Sequence, residues 1–446
     1  MPTVARVLRS IAVGCVLLVA PAWASAQNVN QNQPAGSGTT LTLQGVYVDA
    51  DGVLRSREVT GKPFRTDARQ APSQCYISLP RLFAEMQRRV EEGERFTESM
   101  QYLNGMVRLR SIHVDVEGRD LVIVGDAEPW DASDAARPRG RRTGRPVLRL
   151  DDLVVALRAI GPRARARAFG CTLEQAPGAI ERVRAVQDRT AHIPTGEEDK
   201  VAEAMRAALG PLQAKTFGVP ADSRVARVCL ESDYVMKRLS LGLDQVPPTM
   251  LRSYLSRSTG TALFNRFWFT VKYEPLLVSA DGNHIEIRGQ GLQLRASNSP
   301  TEAVVNNPPA QKFADEFTTN FGKLEAIVPA FADLHNLADL AVLVALIDED
   351  RLAERAGWDL TWALDPAGYR PAKVDVPREA APLVNSLTKG RRTVTCSGGV
   401  EVATEAVLKS RVTDTDEPAT VPAIPQGQWF VRVEAKDEPR RPRGRK

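Results

Sequence analysis

The segment RFWFTVKYEPL, residues 266–276, shows the clearest strand pattern in the chain. Phe267, Phe269 and Val271 fall on one face of a strand, and the residues between them fall on the other. After a turn at positions 281–282, apolar residues occupy odd positions (285, 287) and then even positions (292, 294). Because such a phase change requires an interruption of the strand, we predict a long antiparallel hairpin with a β-bulge at Gly289 and Gly291.

Helical spacing dominates the residues that follow this hairpin. One apolar stripe begins at Phe313 and a second begins at Phe331. The run LADLAVLVALI, residues 337–347, is too short to span a membrane and contains Asp339, so we predict a buried core helix. Antiparallel hairpins and mixed sheet packed with helix groups predict the α+β class, after a cleaved signal peptide.

The other predicted elements follow from the same two periodicities. Hairpins are predicted at residues 46–54 and 112–124, and late strands at 394–407 and 428–433. Helices are predicted at 79–90, after a cap at Asp151, and from a Thr195/Glu198 capping box to Gly210. His113 is predicted to face solvent, opposite the apolar face of its strand.

The N-terminus is typical of a secretory signal. Arg6 and Arg9 precede the apolar run IAVGCVLLVA (11–20), and Ala24-Ser25-Ala26 matches a cleavage site. We therefore predict export to the periplasm or cell envelope, with cleavage after Ala26. A lipoprotein signal at Cys15 fits less well, because the apolar run continues past that cysteine.

Composition divides the chain into six regions. Residues 1–26 are the signal peptide, 27–43 a disordered linker, and 44–128 an N-terminal α+β part with hairpins. A Pro/Arg/Gly-rich loop at 129–146 precedes the main α+β part at 147–434, and a basic disordered tail covers 435–446. Whether the parts on either side of 129–146 are one domain or two stays open.

The positive charge is concentrated at the chain ends. The formal net charge of +5 falls to −2 once the two arginines of the signal and the five basic residues of the tail are set aside. A nearly neutral body argues against a specific nucleic-acid partner. The stretch RPRGRRTGR (137–145) is expected to be a solvated loop, or else a patch that attracts anionic envelope polymer or lipid headgroups, as the tail would.

The residues of common catalytic and metal-binding motifs do not occur at the required spacings. Neither HExxH, GxSxG nor a phosphate-binding loop is present, and the histidines (113, 192, 284, 335) show no ligand spacing. We therefore assign no catalytic, cofactor-binding or metal residue.

Four cysteines remain after the signal, and their disulfide pairing is open: Cys75, Cys171, Cys229 and Cys396. TCSGGV (395–400) is interpreted as a structural turn, because a nucleophile there would need a nearby base.

The stretch VCLESDYVMKRLSLGLD (228–244) has two interpretations. In a strand, Glu231 and Asp233 would face the same way at a spacing that suits a pair of glycosidase acids. The favoured alternative is a central strand at 225–230, followed by a short helix that Asp233 caps and Gly242 ends.

This stretch also resembles the signature of an exported bacterial, planctomycete-type family, the domain of unknown function 1598. Segments that agree in order include GRPVLRLDDLVVALRA (144–159), FGCTLE (169–174), RFWFTVKYEPL and GQGLQL (289–294). The resemblance extends over roughly residues 44–405. It implies an exported α+β protein and no assigned activity, so it transfers no functional residue.

Two functions are therefore considered. The first is a periplasmic or envelope-associated structural or binding protein without catalysis. The alternative is a hydrolase that acts on envelope polysaccharide or another polymer through the acidic pair Glu231 and Asp233.

Overall fold

A computed structural model describes residues 41–58, 72–189, 198–258, 264–303, 305–387, 392–414 and 420–434. The predicted signal peptide, most of the predicted N-terminal linker, Thr195 of the predicted capping box, His192 and the basic tail lie outside the described residues.

Within these ranges the chain forms eighteen strands. In chain order they are β1 (Gln44–Val48), β2 (Val53–Glu58), β3 (Ser73–Ser78), β4 (Met106–Asp115), β5 (Asp120–Ala127), β6 (Trp130–Asp131), β7 (Arg139–Gly140), β8 (Ala168–Gln175), β9 (Leu212–Phe217), β10 (Phe264–Lys272), β11 (Leu276–Ser279), β12 (His284–Glu286), β13 (Gly291–Ala296), β14 (Glu379–Ala380), β15 (Asn385–Leu387), β16 (Arg392–Ala403), β17 (Arg411–Asp414) and β18 (Phe430–Val433).

The same ranges contain thirteen α-helices. They are α1 (Leu79–Glu91), α2 (Glu98–Gln101), α3 (Leu150–Ile160), α4 (Ala179–Arg189), α5 (Glu198–Leu209), α6 (Arg224–Ser240), α7 (Tyr254–Arg257), α8 (Pro308–Thr319), α9 (Phe321–Ile327), α10 (Pro329–Glu349), α11 (Leu352–Arg355), α12 (Thr361–Leu364) and α13 (Glu405–Lys409). One 3₁₀ turn spans Leu103–Gly105.

Two mixed sheets organise these strands. The larger has nine strands in the order β1-β2-β14-β9-β8-β16-β10-β13, with β15 added beside β16. The smaller has seven in the order β17-β11-β12-β4-β5-β3-β18, and β6 and β7 form a separate pair. Most neighbours are antiparallel, but three pairs are parallel: β10 with β16, β11 with β17 and β14 with β2. The predicted α+β class is confirmed.

Helix α10 lies between the two sheets. It contacts β4 of the smaller sheet, β13 of the larger one, and helices α3 and α6. Among the described helices it alone is long and apolar enough to span a membrane, but its apolar window is entirely buried inside the fold. The prediction of a core helix at 337–347 is therefore confirmed.

The predicted long hairpin with a glycine bulge is wrong in part. Strand β13 pairs with β10 as expected, with Leu294 opposite Phe269 and Leu292 opposite Val271. Ile285, however, belongs to β12, which pairs with β11 and β4 in the other sheet. The apolar phase changes because the chain crosses from one sheet to the other between β12 and β13, and not because one strand bulges.

Helix α6 replaces the predicted strand and short helix around 225–240. Ser223 is its N-cap, and the Ser223 hydroxyl accepts a hydrogen bond from the backbone NH of Ala226 at 3.2 Å. Fifteen of its seventeen residues are buried. A segment buried on all sides shows no polar face from which its period can be read, so its sequence is compatible with a strand as well as with a helix.

Asp233 is therefore an interior residue of α6, and its predicted capping role is wrong. The cap predicted at Asp151 is also wrong, because α3 begins one residue earlier and Arg149 precedes it without a side-chain cap. The Asp151 carboxylate instead accepts hydrogen bonds from the Tyr369 hydroxyl and, at 3.3 Å, from the backbone NH of Ala372.

The turn predicted at TCSGGV is wrong, because residues 395–400 lie inside strand β16, but its glycine pair has a structural role. Strand β16 lies between β10 and β8, and a Cβ on Gly398 would stand 1.9 Å from the carbonyl oxygen of Phe267. A Cβ on Gly399 would meet the carbonyl oxygen of Cys171 at the same distance. These glycines allow the close approach of three strands.

The close contact between β13 and α10 yields a prediction for Gly291. Its φ is +75°, and a Cβ there would lie 2.1 Å from the His335 ring. Gly291→Ala should lower the free energy of unfolding by about 2–5 kcal/mol, since it adds left-handed strain to a clash in a packed core. Gly322→Ala is the matched control: nothing lies within 4 Å of the added Cβ, and alanine in α9 should stabilise by about 0.5–1 kcal/mol. Denaturant unfolding of both variants tests this, and equal stability would contradict it.

Candidate functional site

The two acids of the hydrolase hypothesis are buried in α6. Two positions along an α-helix are roughly 200° apart, so Glu231 and Asp233 point to different sides. Glu231 accepts hydrogen bonds from Arg137 at 2.7 Å and from Arg227 at 2.8 Å. Asp233 is fully buried and pairs with Lys237, one turn further along the helix. The acids do not converge on an open cleft, which the hypothesis required.

The Asp233–Lys237 pair is the most deeply buried ion pair among the described residues, with both side chains at 0% exposure. Burial raises the pKa of Asp233 to about 6, against the opposing effect of the Lys237 ammonium. The Oδ1 oxygen of Asp233 has no hydrogen-bond partner within the described structure. Because a buried charge without a partner is costly, each member of this pair depends on the other.

The stretch 137–145 is not wholly solvated, because two of its arginines point into the fold. Arg137 reaches inward to Asp333 on α10 at 2.6 Å, as well as to Glu231 on α6. Arg224 bridges the same Asp333 to Asp152 on α3. This buried ionic network joins α3, α6, α10 and the stretch before α3, so at least Arg137 is committed to internal carboxylates.

The four cysteines that follow the predicted signal are buried thiols without a disulfide: Cys75, Cys171, Cys229 and Cys396. Burial raises the pKa of the Cys396 thiol to about 12, and the pKa of Cys229 is raised further still. A thiolate is the reactive form of cysteine, so these side chains behave as core residues.

A cleft of about 690 Å³ opens beside β4, β10 and α9. Its volume lies in the range of small-molecule binding sites. Its charged lining consists of four basic and three acidic side chains together with one histidine: Arg108, Arg110, Arg145, Lys272, Asp126, Glu274, Glu325 and His335. Threonines and a glutamine contribute hydroxyl and amide groups: Thr143, Thr318, Thr319 and Gln290.

His335 forms part of the cleft floor and is held from both ring nitrogens. Its Nδ1 donates to Glu325 at 2.6 Å, and its Nε2 accepts from the Arg108 guanidinium. Because arginine can only donate, the imidazole is the neutral Nδ1–H tautomer. Burial, followed by the Arg108 charge, lowers the pKa of His335, which keeps it neutral at pH 7.

Glu325 is shared between His335 and the cleft wall. Arg145 makes a two-pronged contact with its carboxylate, at 2.8 and 3.2 Å. Burial raises the pKa of Glu325, but the hydrogen bonds and charges of His335 and Arg145 outweigh this effect and lower the pKa to about 2. The carboxylate therefore stays ionised at pH 7, with its charge balanced by Arg145.

Behind His335, the floor continues through Asp339 and Tyr273. The Tyr273 hydroxyl donates to Asp339 Oδ1 at 2.6 Å, and Arg108 Nε lies 3.4 Å from Asp339 Oδ2. Burial and then the Asp339 charge raise the pKa of Tyr273 well above its usual range. Arg108 also donates to the carbonyl of Gly289 at 3.2 Å, which ties β4 to the crossing between β12 and β13.

This arrangement is better suited to recognition than to nucleophilic catalysis. Both nitrogens of His335 are engaged, and no hydroxyl or thiol hydrogen-bonds to it among the described residues. A triad would require such a nucleophile within hydrogen-bond reach. At the cleft rim, Lys272 is exposed and makes no ion pair or hydrogen bond within the described residues, so its ammonium can interact with a ligand.

Sequence reasoning did not identify this site because its residues are far apart along the chain. Asp333, His335, Asn336 and Asp339 were visible as polar residues within the most apolar helix. That pattern is a usable signal, since buried polar groups require partners. The partners, Arg108 and Arg145, come from elements that no local motif connects to α10.

The histidine pair at positions 113 and 284 was also not anticipated. Strands β4 and β12 place these residues opposite each other, and their rings stack with centroids 4.2 Å apart. His113 is half-buried rather than solvent-facing. His284 also belongs, together with Glu286 and Asp414, to a group that could hold a metal ion.

One family model matches a segment of the chain that includes α6. Residues 171–254 match the family model described as "Protein of unknown function (DUF1598)". These residues carry the domain of unknown function 1598. The resemblance is thus confirmed over this segment, while its extension to residues 44–405 and the planctomycete origin stay predictions. No curated protein and no solved structure matches the chain.

The DUF1598 segment runs from Cys171 in β8 to Tyr254 at the start of α7. It contains the Asp233–Lys237 pair and Glu231, and it excludes every charged residue that lines the cleft. The family match therefore describes the part of the core that supports α10 and gives no information about the cleft itself.

The buried Asp233–Lys237 pair predicts a large loss of stability for an asparagine substitution that a helix cap would tolerate. Asp233→Asn should lower the free energy of unfolding by about 3–5 kcal/mol, because Lys237 would be left buried without a counter-charge. The double variant Asp233→Leu/Lys237→Met should fall near wild type or above it, since both desolvated charges are gone.

Glu203→Gln, in the exposed pair with Arg206, is the matched control and should change stability by less than about 1 kcal/mol. Denaturant unfolding measures all three variants. Wild-type stability for Asp233→Asn would disprove the assignment of an interdependent pair.

Proposed function

We propose that this is an exported, envelope-associated protein that binds a polar, weakly acidic ligand in the cleft without transforming it. The observation that supports the proposal is the cleft floor, where Arg108, His335, Glu325 and Arg145 are already paired with one another. Mutually paired groups form a rigid wall that recognises shape and hydrogen-bonding pattern.

The ligand chemistry follows from the cleft lining. Four basic and three acidic side chains leave a small positive excess, and hydroxyl and amide groups complete the wall. This lining favours a ligand rich in hydroxyl groups that carries few carboxylates, such as a short uronic-acid-containing segment of envelope polysaccharide. The polymer named in the hydrolase alternative thus becomes a bound partner, because Glu231 and Asp233 are not available to attack it.

Export and surface attachment are supported by the two chain ends. Residues 1–26 have the composition of a secretory signal, and PRRPRGRK (439–446) adds five positive charges. A basic tail of this kind attracts anionic polymer or lipid headgroups, and the attraction weakens with salt. It would hold the protein near the polymer that the cleft binds.

Export can be tested independently of binding. The protein expressed with its own N-terminus in a Gram-negative host should be found in the periplasmic fraction and begin at Gln27, after cleavage behind Ala26. Intact mass of that fraction checks the prediction, with Ala26→Arg as the variant that should block cleavage. Retention of residues 1–26, or a lipid on Cys15, would disprove it.

The cleft can be tested through Lys272, which reaches the ligand space without an internal partner. Lys272→Glu should weaken binding of a short oligogalacturonate, of two or three residues, by at least about tenfold, because it reverses the charge next to the few ligand carboxylates. Lys312→Glu makes the same change on the exposed surface of α8 and should leave affinity within about twofold of wild type.

Isothermal titration of the three proteins gives the comparison, with a neutral dextran oligomer of equal length as the second probe. Equal affinity of Lys272→Glu and wild type would remove the cleft as the binding site. Tighter binding of dextran than of oligogalacturonate would disprove the acidic ligand class.

A further inference from the structure

A second polar cluster lies on the seven-stranded sheet, apart from the residues that line the cleft. His284 and Glu286 come from β12, and Asp414 comes from β17. One imidazole nitrogen and one oxygen from each carboxylate all lie within 4.8 Å of one another. An imidazole with two carboxylates is a ligand set that divalent transition metals accept.

The sheet register explains why these three side chains meet. His284 and Glu286 are two residues apart in β12, so they project from the same face. Asp414 lies opposite Ser279 of β11, the strand that separates β17 from β12. Because Ser279 is small, the longer side chains of the outer strands can converge over it.

The side chains of β12 are available for a ligand. His284 is only 4% exposed, and its imidazole makes no hydrogen bond within the described residues. Glu286 likewise has neither an ion pair nor a hydrogen bond among them. An imidazole and a carboxylate that make no internal hydrogen bond keep their lone pairs available for an ion.

His113 restrains the site from the adjacent strand. Its ring stacks on that of His284 at an interplanar angle of 23°, and the Ser111 hydroxyl lies 3.2 Å from its Nε2. Stacking restricts rotation of the His284 ring and so orients its nitrogens toward the carboxylates. Metal-binding histidines usually depend on such neighbours for their orientation.

We propose that His284, Glu286 and Asp414 form a binding site for a divalent transition-metal ion of the Zn²⁺ type. Bonds of about 2.0–2.2 Å to each ligand would place the donor atoms roughly 3–3.6 Å apart in a tetrahedral site. Small side-chain rotations from separations of up to 4.8 Å reach this geometry. Three protein ligands leave a fourth position for water, as in open zinc sites.

The choice of metal follows from the ligand types. The imidazole favours Zn²⁺ over Mg²⁺ and Ca²⁺, which prefer sites made entirely of oxygen. With a single nitrogen donor and no thiolate, the site should also accept Mn²⁺, although more weakly than Zn²⁺ in keeping with the usual affinity order.

The test uses the full mature chain, stripped of metal by a chelator and titrated with Zn²⁺ against a chromophoric competitor. Wild type should bind one Zn²⁺ per chain, and binding should raise the thermal midpoint because the ion stabilises the folded state. Glu286→Gln and Asp414→Asn should each weaken binding at least a hundredfold, since losing a direct ligand costs at least as much as the roughly 10–100-fold loss typical of outer-shell partners.

Glu117→Gln is the matched control, because it removes an exposed carboxylate from the β4–β5 turn of the same sheet. Its Zn²⁺ affinity should equal that of wild type. The proposal is overturned if the two ligand variants bind like this control, or if wild type binds Ca²⁺ and Mg²⁺ as tightly as Zn²⁺. Circular dichroism of each metal-free variant shows whether it is folded before titration.

Discussion

The pairing of the buried ionisable groups on a helix that lies between two sheets is the constraint on which this structure depends. Helix α10 is apolar enough to resemble a membrane span, yet it contains Asp333, His335 and Asp339. An unpaired charge at such a depth would cost several kcal/mol. Arg224 and Arg137 pair with Asp333, and Arg108 contacts both His335 and Asp339.

These pairings determine which elements surround α10. Apolar contacts alone would allow the helix to rotate or slide, because most of its surface is equally hydrophobic. Charge pairs permit one arrangement, in which α6 supplies Arg224, β4 supplies Arg108 and the stretch 129–146 supplies Arg137 and Arg145. We infer that this network contributes more to a unique arrangement than to net stability, since buried pairs recover little beyond their desolvation cost.

The two candidate sites are related to this core through β4 and β12. Arg108 of β4 lines the cleft, while His113, further along the same strand, stacks on His284 of β12. One strand thus carries a residue of the cleft and the residue that stacks on the second cluster, on a rigid sheet rather than on loops. Sites supported in this way keep their geometry when ligands bind.

The sequence by itself determined the α+β class, the hairpins, α1, α10 and the pairing of β13 with β10, because each of these has one apolar face or a length that local periodicity reveals. It could not determine α6, whose burial on all sides removes the period, nor the crossing at Gly289 and Gly291 between sheets. Only the tertiary structure brought His335 to Glu325 and Arg108, and His284 to Asp414. These partners lie ten to 227 positions apart, and long-range packing of two sheets around one helix, rather than any local pattern, makes them neighbours.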